Sequence, residues 1–482
     1  MSYPHLTRWL ASIGALALAL LLYAPTPQTT TPAAALDDGL ARTPPMGWNT
    51  WNRFGCDIDS QLIRKTADAM VASGMQAVGY QYVVIDDCWQ TGRDANGNLF
   101  ADPVRFPGGI APLADYVHQR GLKLGLYTSA GAITCMGRPG SLGHEVQDMA
   151  AFAAWGVDFV KIDWCGAENQ DARQRYAIFR DAIAQTSRPM VISICEWGAA
   201  NPWEWGADRG HMWRTTGDIF PTWRSIVDNI DANGRYNAAA GAGRWNDPDM
   251  LQIGNGRLTL DEQKTHMSMW ALMAAPLIAG NDLRTMDATI HALLTNPEVI
   301  AVDQDSLGVQ GVSVWDSYDG LQVWSRPLAD GSRAVVLFNR RTVAAPITVA
   351  WSMLGLPSDS AAVRDLWARG DLGTFAGSFS APVPAHGVIM LRVAPVGTQH
   401  AASATPPPPV APAPPPTAHV VPGAPQLAAG APRGSTPTGP LRRSHAAADA
   451  DLTERAAPVM IGSVPDCGGV SCSIFVQRRW RN

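Results

Sequence analysis

Eight short apolar segments recur at a nearly regular interval, and this spacing limits the possible folds more than any other feature. They span residues 46–51, 81–87, 123–129, 158–164, 190–197, 211–218, 243–250 and 276–280. Their starts lie 21 to 42 residues apart, and most intervals match one strand, one helix and their loops. Helical periodicity fills 60–75 and 171–186, and Thr259 to Glu262 forms a capping-box pattern before another helix. We therefore expect an α/β fold, a (β/α)8 TIM barrel over 41–305.

Polar and aromatic residues stand at the C-terminal ends of these apolar segments. They are Trp51, Asp86, Asp87, Tyr127, Asp163, Glu196, Asp218, Asp247 and Asp249. A single aspartate at a strand end could equally cap the following helix. That explanation does not cover a set that also includes Lys161 and Arg214. Since a (β/α)8 barrel builds its active site at this face, we expect the functional site there.

The rest of the chain divides by composition. Residues 1–35 read as a signal peptide, with an apolar run after Arg8 and the small residues Ala33-Ala34-Ala35, although a retained anchor remains an alternative. Alternating apolar and polar residues over 306–395 predict an antiparallel β-sandwich. Residues 396–450 are rich in proline and are expected to form a linker, and 451–482 form a tail of unknown structure. We expect a secreted or periplasmic protein without a membrane segment after cleavage. The net charge of −5 disfavours nucleic-acid partners.

The carboxylates at the rim suit the hydrolysis of a glycosidic bond with retention of configuration. That reaction needs two carboxyl groups roughly 5–5.5 Å apart, one a nucleophile and the other an acid and base. Asp163 follows Lys161 by two residues, and an ammonium favours the ionised form that a nucleophile needs. Asp218 follows Arg214, and burial or like charge should keep it protonated. These properties alone do not select this pair among the rim carboxylates.

Six motifs in order over residues 41–395 resemble glycoside hydrolase family 27, the α-galactosidases and their relatives. They are Met46-Gly47-Trp48-Asn49-Thr50-Trp51, Asp86-Asp87-Cys88-Trp89, Lys161-Ile162-Asp163-Trp164-Cys165, Cys195-Glu196-Trp197-Gly198, Trp213-Arg214 through Asp218, and Trp245-Asn246-Asp247-Pro248-Asp249-Met250. The resemblance implies that Asp163 is the nucleophile and Asp218 the acid/base. It implies a retaining exo-glycosidase that releases terminal α-galactosyl residues and needs no cofactor or metal.

The same resemblance implies the sugar-binding residues. Asp86 and Asp87 would accept hydrogen bonds from the 4- and 6-hydroxyls, and Trp51 would stack on the apolar face of the sugar. Lys161, Arg214, Tyr127 and Asp249 would complete the pocket. Cys195, Glu196 and Trp197 would occupy the space that an N-acetyl group at the 2-position requires. The resemblance also implies the disulfides Cys56–Cys88 and Cys135–Cys165, and it leaves Cys195 as a free, partly buried thiol because Gly210 stands where some relatives have a cysteine.

Three alternatives remain open from the sequence. The chain could be a β-L-arabinopyranosidase, which the adjacent aspartates Asp86 and Asp87 disfavour because they leave room for the hydroxymethyl group of galactose. It could be an α-N-acetylgalactosaminidase, which the bulk of Glu196 and Trp197 disfavours. It could also be a non-catalytic sugar-binding barrel, which the intact pair Asp163 and Asp218 disfavours. The oligomeric state is not predicted.

Overall fold

The computed structural model describes residues 36, 38–357 and 359–396. The signal peptide expected at 1–35, all but the first residue of the linker expected at 396–450, and the tail expected at 451–482 lie outside the described residues. Within the described part of the chain, no helix combines the length and the apolar character that crossing a bilayer requires.

Eight parallel strands form the barrel, and they lie where the apolar segments predict them. In spatial order the sheet runs β10, β1, β2, β5, β6, β7, β8, β9. The strands are β1 (Met46–Asn49), β2 (Tyr82–Ile85), β5 (Lys123–Ser129), β6 (Phe159–Asp163), β7 (Val191–Cys195), β8 (Met212–Arg214), β9 (Trp245–Asp247) and β10 (Leu277–Ala279). A parallel bridge between Leu251, just beyond β9, and Ala279 of β10 joins the two edges. The predicted (β/α)8 barrel is confirmed.

Most of the helices begin at a side chain that caps them. Asp59 accepts from the backbone N–H of Leu62 at 2.7 Å, and Thr259 and Glu262 form the expected capping box. The helices predicted at 60–75 and 171–186 are each a few residues shorter. The helices are α1 (Trp51–Phe54), α2 (Ser60–Ala72), α3 (Ala111–His118), α4 (Glu145–Ala154), α5 (Ala172–Ala184), α6 (Trp223–Asn233), α7 (Leu260–Leu272), α8 (Ala288–Leu294) and α9 (Pro297–Asp303).

A hairpin that the sequence analysis did not anticipate follows β2. It consists of β3 (Gln90–Arg93) and β4 (Leu99–Ala101). Arg93 anchors it with an ion pair to the buried carboxylate of Asp148 in α4, at 2.6 Å. Short 3-10 turns complete the connections: Gln76–Val78, Pro202–Glu204, Gly206–Asp208, Gly234–Ala239, Leu283–Thr285 and Trp351–Leu354.

An antiparallel β-sandwich follows the barrel, as predicted. A six-stranded sheet in the order β11, β12, β13, β18, β15, β16 packs against the two-stranded sheet of β14 and β17. The strands are β11 (Val312–Asp316), β12 (Leu321–Pro327), β13 (Arg333–Asn339), β14 (Ala345–Ala350), β15 (Ser360–Asp365), β16 (Gly370–Ala376), β17 (Ser378–Val383) and β18 (Val388–Pro395). In β13, Val335 and Leu337 face the smaller sheet, whereas Val336 and Phe338 belong to the barrel core. The centre of the larger sheet is therefore buried on both faces.

The sandwich meets the barrel through a buried polar contact as well as apolar packing. Arg326 is fully buried and donates to the backbone oxygens of Ala271, at 2.9 Å, and Asp303, at 3.3 Å. At the edge of the same contact, Arg340 pairs with Asp231 at 2.6 Å. The buried guanidinium of Arg326 and the ion pair of Arg340 favour a single arrangement of the sandwich against the barrel. The sandwich thereby stabilises the barrel.

Candidate active site

The strand register brings the expected residues to one level at the C-terminal face of the barrel. In neighbouring strands, Asp163 of β6 lies opposite Ser129 of β5 and Cys195 of β7. Lys161, two residues before Asp163, shares its face of the strand because side chains alternate along a strand. The barrel therefore gathers a carboxylate, an ammonium and a thiol into one pocket.

Asp163 sits in a nearly closed environment and keeps only 6% of its surface exposed. Its Oδ1 accepts from the backbone N–H of Trp164 at 2.9 Å, and its Oδ2 accepts from the Tyr127 hydroxyl at 3.0 Å. The sulfur of Cys135 lies 3.4 Å from the same Oδ2. Both oxygens are thus held in place, and the carboxylate has one orientation.

Asp218 has a different environment, four residues beyond the end of β8. Its side chain is 60% exposed, and Arg214 donates to its Oδ1 at 3.1 Å. Arg214 itself is buried, and the same Nη2 also lies 3.1 Å from the Oδ2 of Asp249. Its Nε has no hydrogen-bond partner among the described residues. Arg214 thus links two carboxylates and keeps one donor for a further group.

The charge states differ from the sequence-based expectation. Burial raises the pKa of Asp163 to about 6, and this outweighs the opposing effect of Lys161. Asp218 also loses hydration, but the pKa of this carboxyl is lowered because Arg214 and Lys161 favour its ionised form, and its large exposure limits the effect of burial. Of the two carboxyl groups, Asp163 therefore keeps its proton to the higher pH. A pKa of about 6 leaves Asp163 mostly ionised at neutral pH, as expected. The expectation of a protonated Asp218 is wrong, because the sequence did not show how unequally the two carboxyl groups are buried.

Asp86 forms a buried network with Lys161. The Lys161 ammonium lies 2.9 Å from Asp86 Oδ2, which also accepts from Asn49 Nδ2 at 2.7 Å. The Thr50 hydroxyl accepts from the backbone N–H of Asp86 at 3.0 Å. Asn49 was not among the residues expected at the site. The position of Asn49 at the end of β1, next to the strand that precedes Asp86, could have indicated its role.

Asp87 lies beside Asp86, and its carboxylate is oriented by the backbone. Its Oδ1 accepts from Cys88 N–H at 2.6 Å, and its Oδ2 accepts from Met136 N–H at 2.9 Å. Desolvation raises its pKa despite these bonds. The two aspartates thus present acceptors that have different partners, one an ammonium and the other main-chain amides.

Two disulfides fix the loops around these carboxylates, and both predicted pairings are confirmed. They join Cys56 to Cys88 and Cys135 to Cys165. The second lies next to Asp163: the two sulfurs and a carboxylate oxygen fall within 4.8 Å of one another. Because the sulfurs are bonded to each other, they do not offer thiolate ligands to a metal ion.

The end of β7 and the turn after it carry three expected residues with unequal access to the pocket. Cys195 is free, and at 1% exposure it is fully rather than partly buried, with its sulfur 3.7 Å from Arg214 Nη1. Glu196 is completely buried, and its Oε2 accepts from Ala200 N–H at 2.6 Å. Trp197 is partly exposed and has a positive φ of 60°. Glu196 therefore braces the turn that displays Trp197.

The remaining expected residues lie around the same rim. Trp51 begins α1 and is partly exposed, and its N–H donates to Asn49 Oδ1 at 2.8 Å. Asp249 is buried and accepts from Ile219 N–H at 2.8 Å. Asp247, which was noted at a strand end but not chosen as a site residue, accepts from Asp249 N–H at 2.8 Å, and burial raises its pKa to about 6. Asp247 therefore belongs with the site residues, although only its position at a strand end had been noted.

Comparison with known proteins agrees with this architecture. Residues 43–305 match the family model described as "Alpha galactosidase A", and residues 318–393 match "Alpha galactosidase C-terminal beta sandwich domain". The chain is 47% identical over 378 residues to "Alpha-galactosidase A" of Cellvibrio japonicus, which covers 74% of this chain and 93% of that protein.

Solved structures give the same result. Alpha-galactosidase I from Mortierella vinacea is 38% identical, with a TM-score of 0.71 over 74% of this chain and 98% of its own. Alpha-galactosidase from Saccharomyces cerevisiae, solved with raffinose, is 31% identical, with a TM-score of 0.70 and the same coverage. This chain belongs to the α-galactosidase family, glycoside hydrolase family 27.

Proposed function

We propose that this protein is a retaining α-galactosidase that removes terminal α-D-galactosyl residues from oligosaccharides, polysaccharides or glycoconjugates. The observation that carries the proposal is the pair Asp163 and Asp218 at one rim. Cys195 lies opposite Asp163 in the next strand, its sulfur is 3.7 Å from Arg214 Nη1, and Arg214 donates to Asp218 at 3.1 Å. We further infer a secreted or periplasmic location from the N-terminal sequence.

The two carboxyl groups divide the reaction as follows. The ionised Asp163 attacks the anomeric carbon, and the C–O bond to the leaving group breaks while Asp218 gives its proton to that oxygen. Asp218, now a carboxylate, then takes a proton from water, and the water oxygen displaces Asp163 from the anomeric carbon. Two inversions at the same carbon leave the α-configuration unchanged.

These steps require the proton to sit on Asp218, although the protein's own groups favour it on Asp163. Substrate supplies the change. A sugar hydroxyl that engages Arg214 competes for the guanidinium that now stabilises the Asp218 carboxylate. The leaving group covers the exposed side of Asp218 and removes its hydration, which favours the neutral acid. Lys161 lowers the pKa of Asp163 and so favours the carboxylate that attacks.

Recognition of galactose follows from the paired aspartates. The Asp86 carboxylate is already bound to Lys161 and Asn49, so its orientation is fixed before the sugar arrives. Asp87 is oriented by two backbone amides. Sugar hydroxyls that donate to these buried carboxylates contribute strongly to selectivity, because an analogue without them leaves a charge unpaired. Trp51, Tyr127 and Asp249 line the remaining walls.

The 2-position of the sugar distinguishes the proposed activity from that of an α-N-acetylgalactosaminidase. Cys195 lies next to Arg214, and Glu196 holds the turn that carries Trp197 through its bond to Ala200. An acetamide group at this position would require that turn to move. The adjacent aspartates Asp86 and Asp87 similarly favour galactose over arabinopyranose, since a shorter sugar would leave the acceptor for the hydroxymethyl group without a donor.

Product analysis on a panel of α-galactosides tests the function. We expect galactose release from nitrophenyl α-galactoside, and NMR should show the α-anomer before mutarotation. The parallel panel contains the nitrophenyl β-L-arabinopyranoside and α-N-acetylgalactosaminide. Preferred hydrolysis of either, or initial release of the β-anomer, would contradict the proposal, and binding without turnover would indicate a non-catalytic barrel.

A further inference from the structure

A polar cavity of about 260 Å³ lies between the loops that follow β1, β9 and β10. None of the catalytic or sugar-binding residues described above lines it. Its walls include Arg53, Asn255, Asn281, Asp282 and Asp287. The cavity is smaller than the pockets that hold drug-sized ligands, and its size suits a single sugar ring.

The cavity is next to the active site along the same rim. Arg53 lies in α1, two residues after Trp51. On the other side, Asn281 lies two residues beyond Ala279, whose bridge partner Leu251 follows Asp249 by two residues. Asn255, in the wall, donates to Gln252 at 3.0 Å, and Gln252 donates to the backbone oxygen of Ile219, next to Asp218, at 3.0 Å. The cavity is therefore linked to the segment that carries the acid/base as well as to those of the galactose pocket.

Asn281 lines the cavity and is only 3% exposed, yet its Oδ1 accepts no hydrogen bond from any described residue. Its backbone oxygen accepts from the indole of Trp48 at 2.7 Å, which fixes the position of the residue. Gly254, at φ +85°, faces the amide so closely that a Cβ there would come within 3.0 Å of Asn281 Nδ2. An unsatisfied buried acceptor is unfavourable, and a ligand hydroxyl could donate to it.

Arg53 supplies the complementary donor. It is exposed and has no ion pair within the part of the chain that the structure describes, although its charge lowers the pKa of Asp282. The two carboxylates are otherwise engaged. Asp282 pairs with Arg284 at 2.7 Å, and Asp287 accepts from the first backbone N–H groups of α8 at 2.8 and 2.9 Å.

The chemistry of these groups selects a neutral, hydroxyl-rich ligand. A guanidinium donor and an amide acceptor can bind adjacent hydroxyls, whereas the carboxylates nearby disfavour an anion and Arg53 disfavours a cation. We propose that this cavity is a subsite for a sugar on the leaving-group side of the scissile bond. The proposal rests on the proposed function and specifies which part of the substrate the protein recognises beyond galactose.

Kinetics on two substrates test it: raffinose, which carries further sugar rings, and methyl α-galactoside, which carries none. Arg53→Ala should lower kcat/KM for raffinose by about tenfold, the scale of one charge-assisted hydrogen bond, and leave methyl α-galactoside unchanged. Arg53→Lys should give an intermediate loss, since it keeps the charge without the planar set of donors. Arg173→Ala, on the outer helix α5, removes the same charge at a 54% exposed position and should alter neither substrate.

Equal losses on both substrates, or no loss on raffinose, would overturn the subsite. A wild-type protein that hydrolyses neither substrate would instead refute the proposed function, and the subsite with it. Asn281→Ala provides a second variant. It should reproduce the raffinose-specific loss, and thermal denaturation of the purified protein establishes that the variant is folded.

Discussion

Replacing Asp163 with asparagine should abolish activity and, at neutral pH, make the protein more stable. The unfolded chain ionises this carboxyl near its usual pKa of 3.8, whereas the folded protein does so at about 6. At pH 7.5 both states are ionised, and burial of the charge costs the folded state about 3 kcal/mol. At pH 4.5 the folded state keeps its proton, and the cost falls to about 1 kcal/mol. Asparagine carries no charge at either pH and avoids both costs.

The substitution has a cost of its own that does not depend on pH. Both carboxylate oxygens of Asp163 accept hydrogen bonds, from Trp164 and Tyr127, and the amide nitrogen of asparagine would replace one acceptor. That loss is about 1 kcal/mol. This loss is the same at both pH values, so it cancels when the stability gained by the variant at pH 4.5 is subtracted from that gained at pH 7.5. The remainder is due to the burial of charge and amounts to about 2 kcal/mol in favour of the variant.

Calorimetry on the wild type and Asp163→Asn at the two pH values measures this difference in stability. For a folded region of this size, about 1 kcal/mol corresponds to about 1.3 °C, so the variant should gain about 2.5 °C more at pH 7.5 than at pH 4.5. Asp218→Asn is the matched control. Arg214 lowers the pKa of Asp218, so the ionised group stabilises the fold at neutral pH and its removal should give no gain. A gain for Asp163→Asn that is equal at both pH values would refute the reasoning.

Three further predictions follow from the site. The pH profile of kcat/KM should decline with a midpoint near pH 6, where the carboxyl pair loses its last proton, and a constant rate up to pH 8 would contradict this. Galactosides should be cleaved at least about a hundredfold better than N-acetylgalactosaminides, because a steric clash of about 3 kcal/mol opposes the acetamide group. Trp197→Ala should reduce that ratio of kcat/KM values. Comparable kcat/KM values of the wild type on the two nitrophenyl glycosides would show that no such clash exists. Alkylation of the denatured, unreduced protein followed by peptide mapping should label Cys195 while Cys56 remains linked to Cys88, and a bridged Cys195 would show the thiol assignment to be wrong.

The sequence predicted the barrel well because its periodicity is a direct consequence of the fold. Buried parallel strands need short apolar segments, and the rim needs polar residues where those segments end. The hairpin of β3 and β4 was missed for the same reason. It is partly exposed and inserted within one repeat, so it leaves no regular pattern.

The charge states of the site carboxyl groups could not be predicted, because they depend on how deeply each group is buried. Asp163 ends one barrel strand and Asp218 follows another, yet Asp163 is 6% exposed overall whereas the side chain of Asp218 is 60% exposed. Lys161 acts on Asp163 in the expected direction, but desolvation outweighs it. Glu196 illustrates the same limit. Its motif position suggested contact with the sugar, whereas its carboxylate accepts from Ala200 behind the pocket wall.

The central claim is that Asp163 becomes covalently attached to galactose. A fluorinated galactosyl substrate with a good leaving group should trap that ester, because fluorine slows the second displacement more than the activated first one. Mass spectrometry of the digested protein should then find one galactosyl label on the peptide that contains Asp163. A label on another carboxylate such as Asp218 or Asp249, or no label although the substrate is turned over to the β-anomer, would contradict the account.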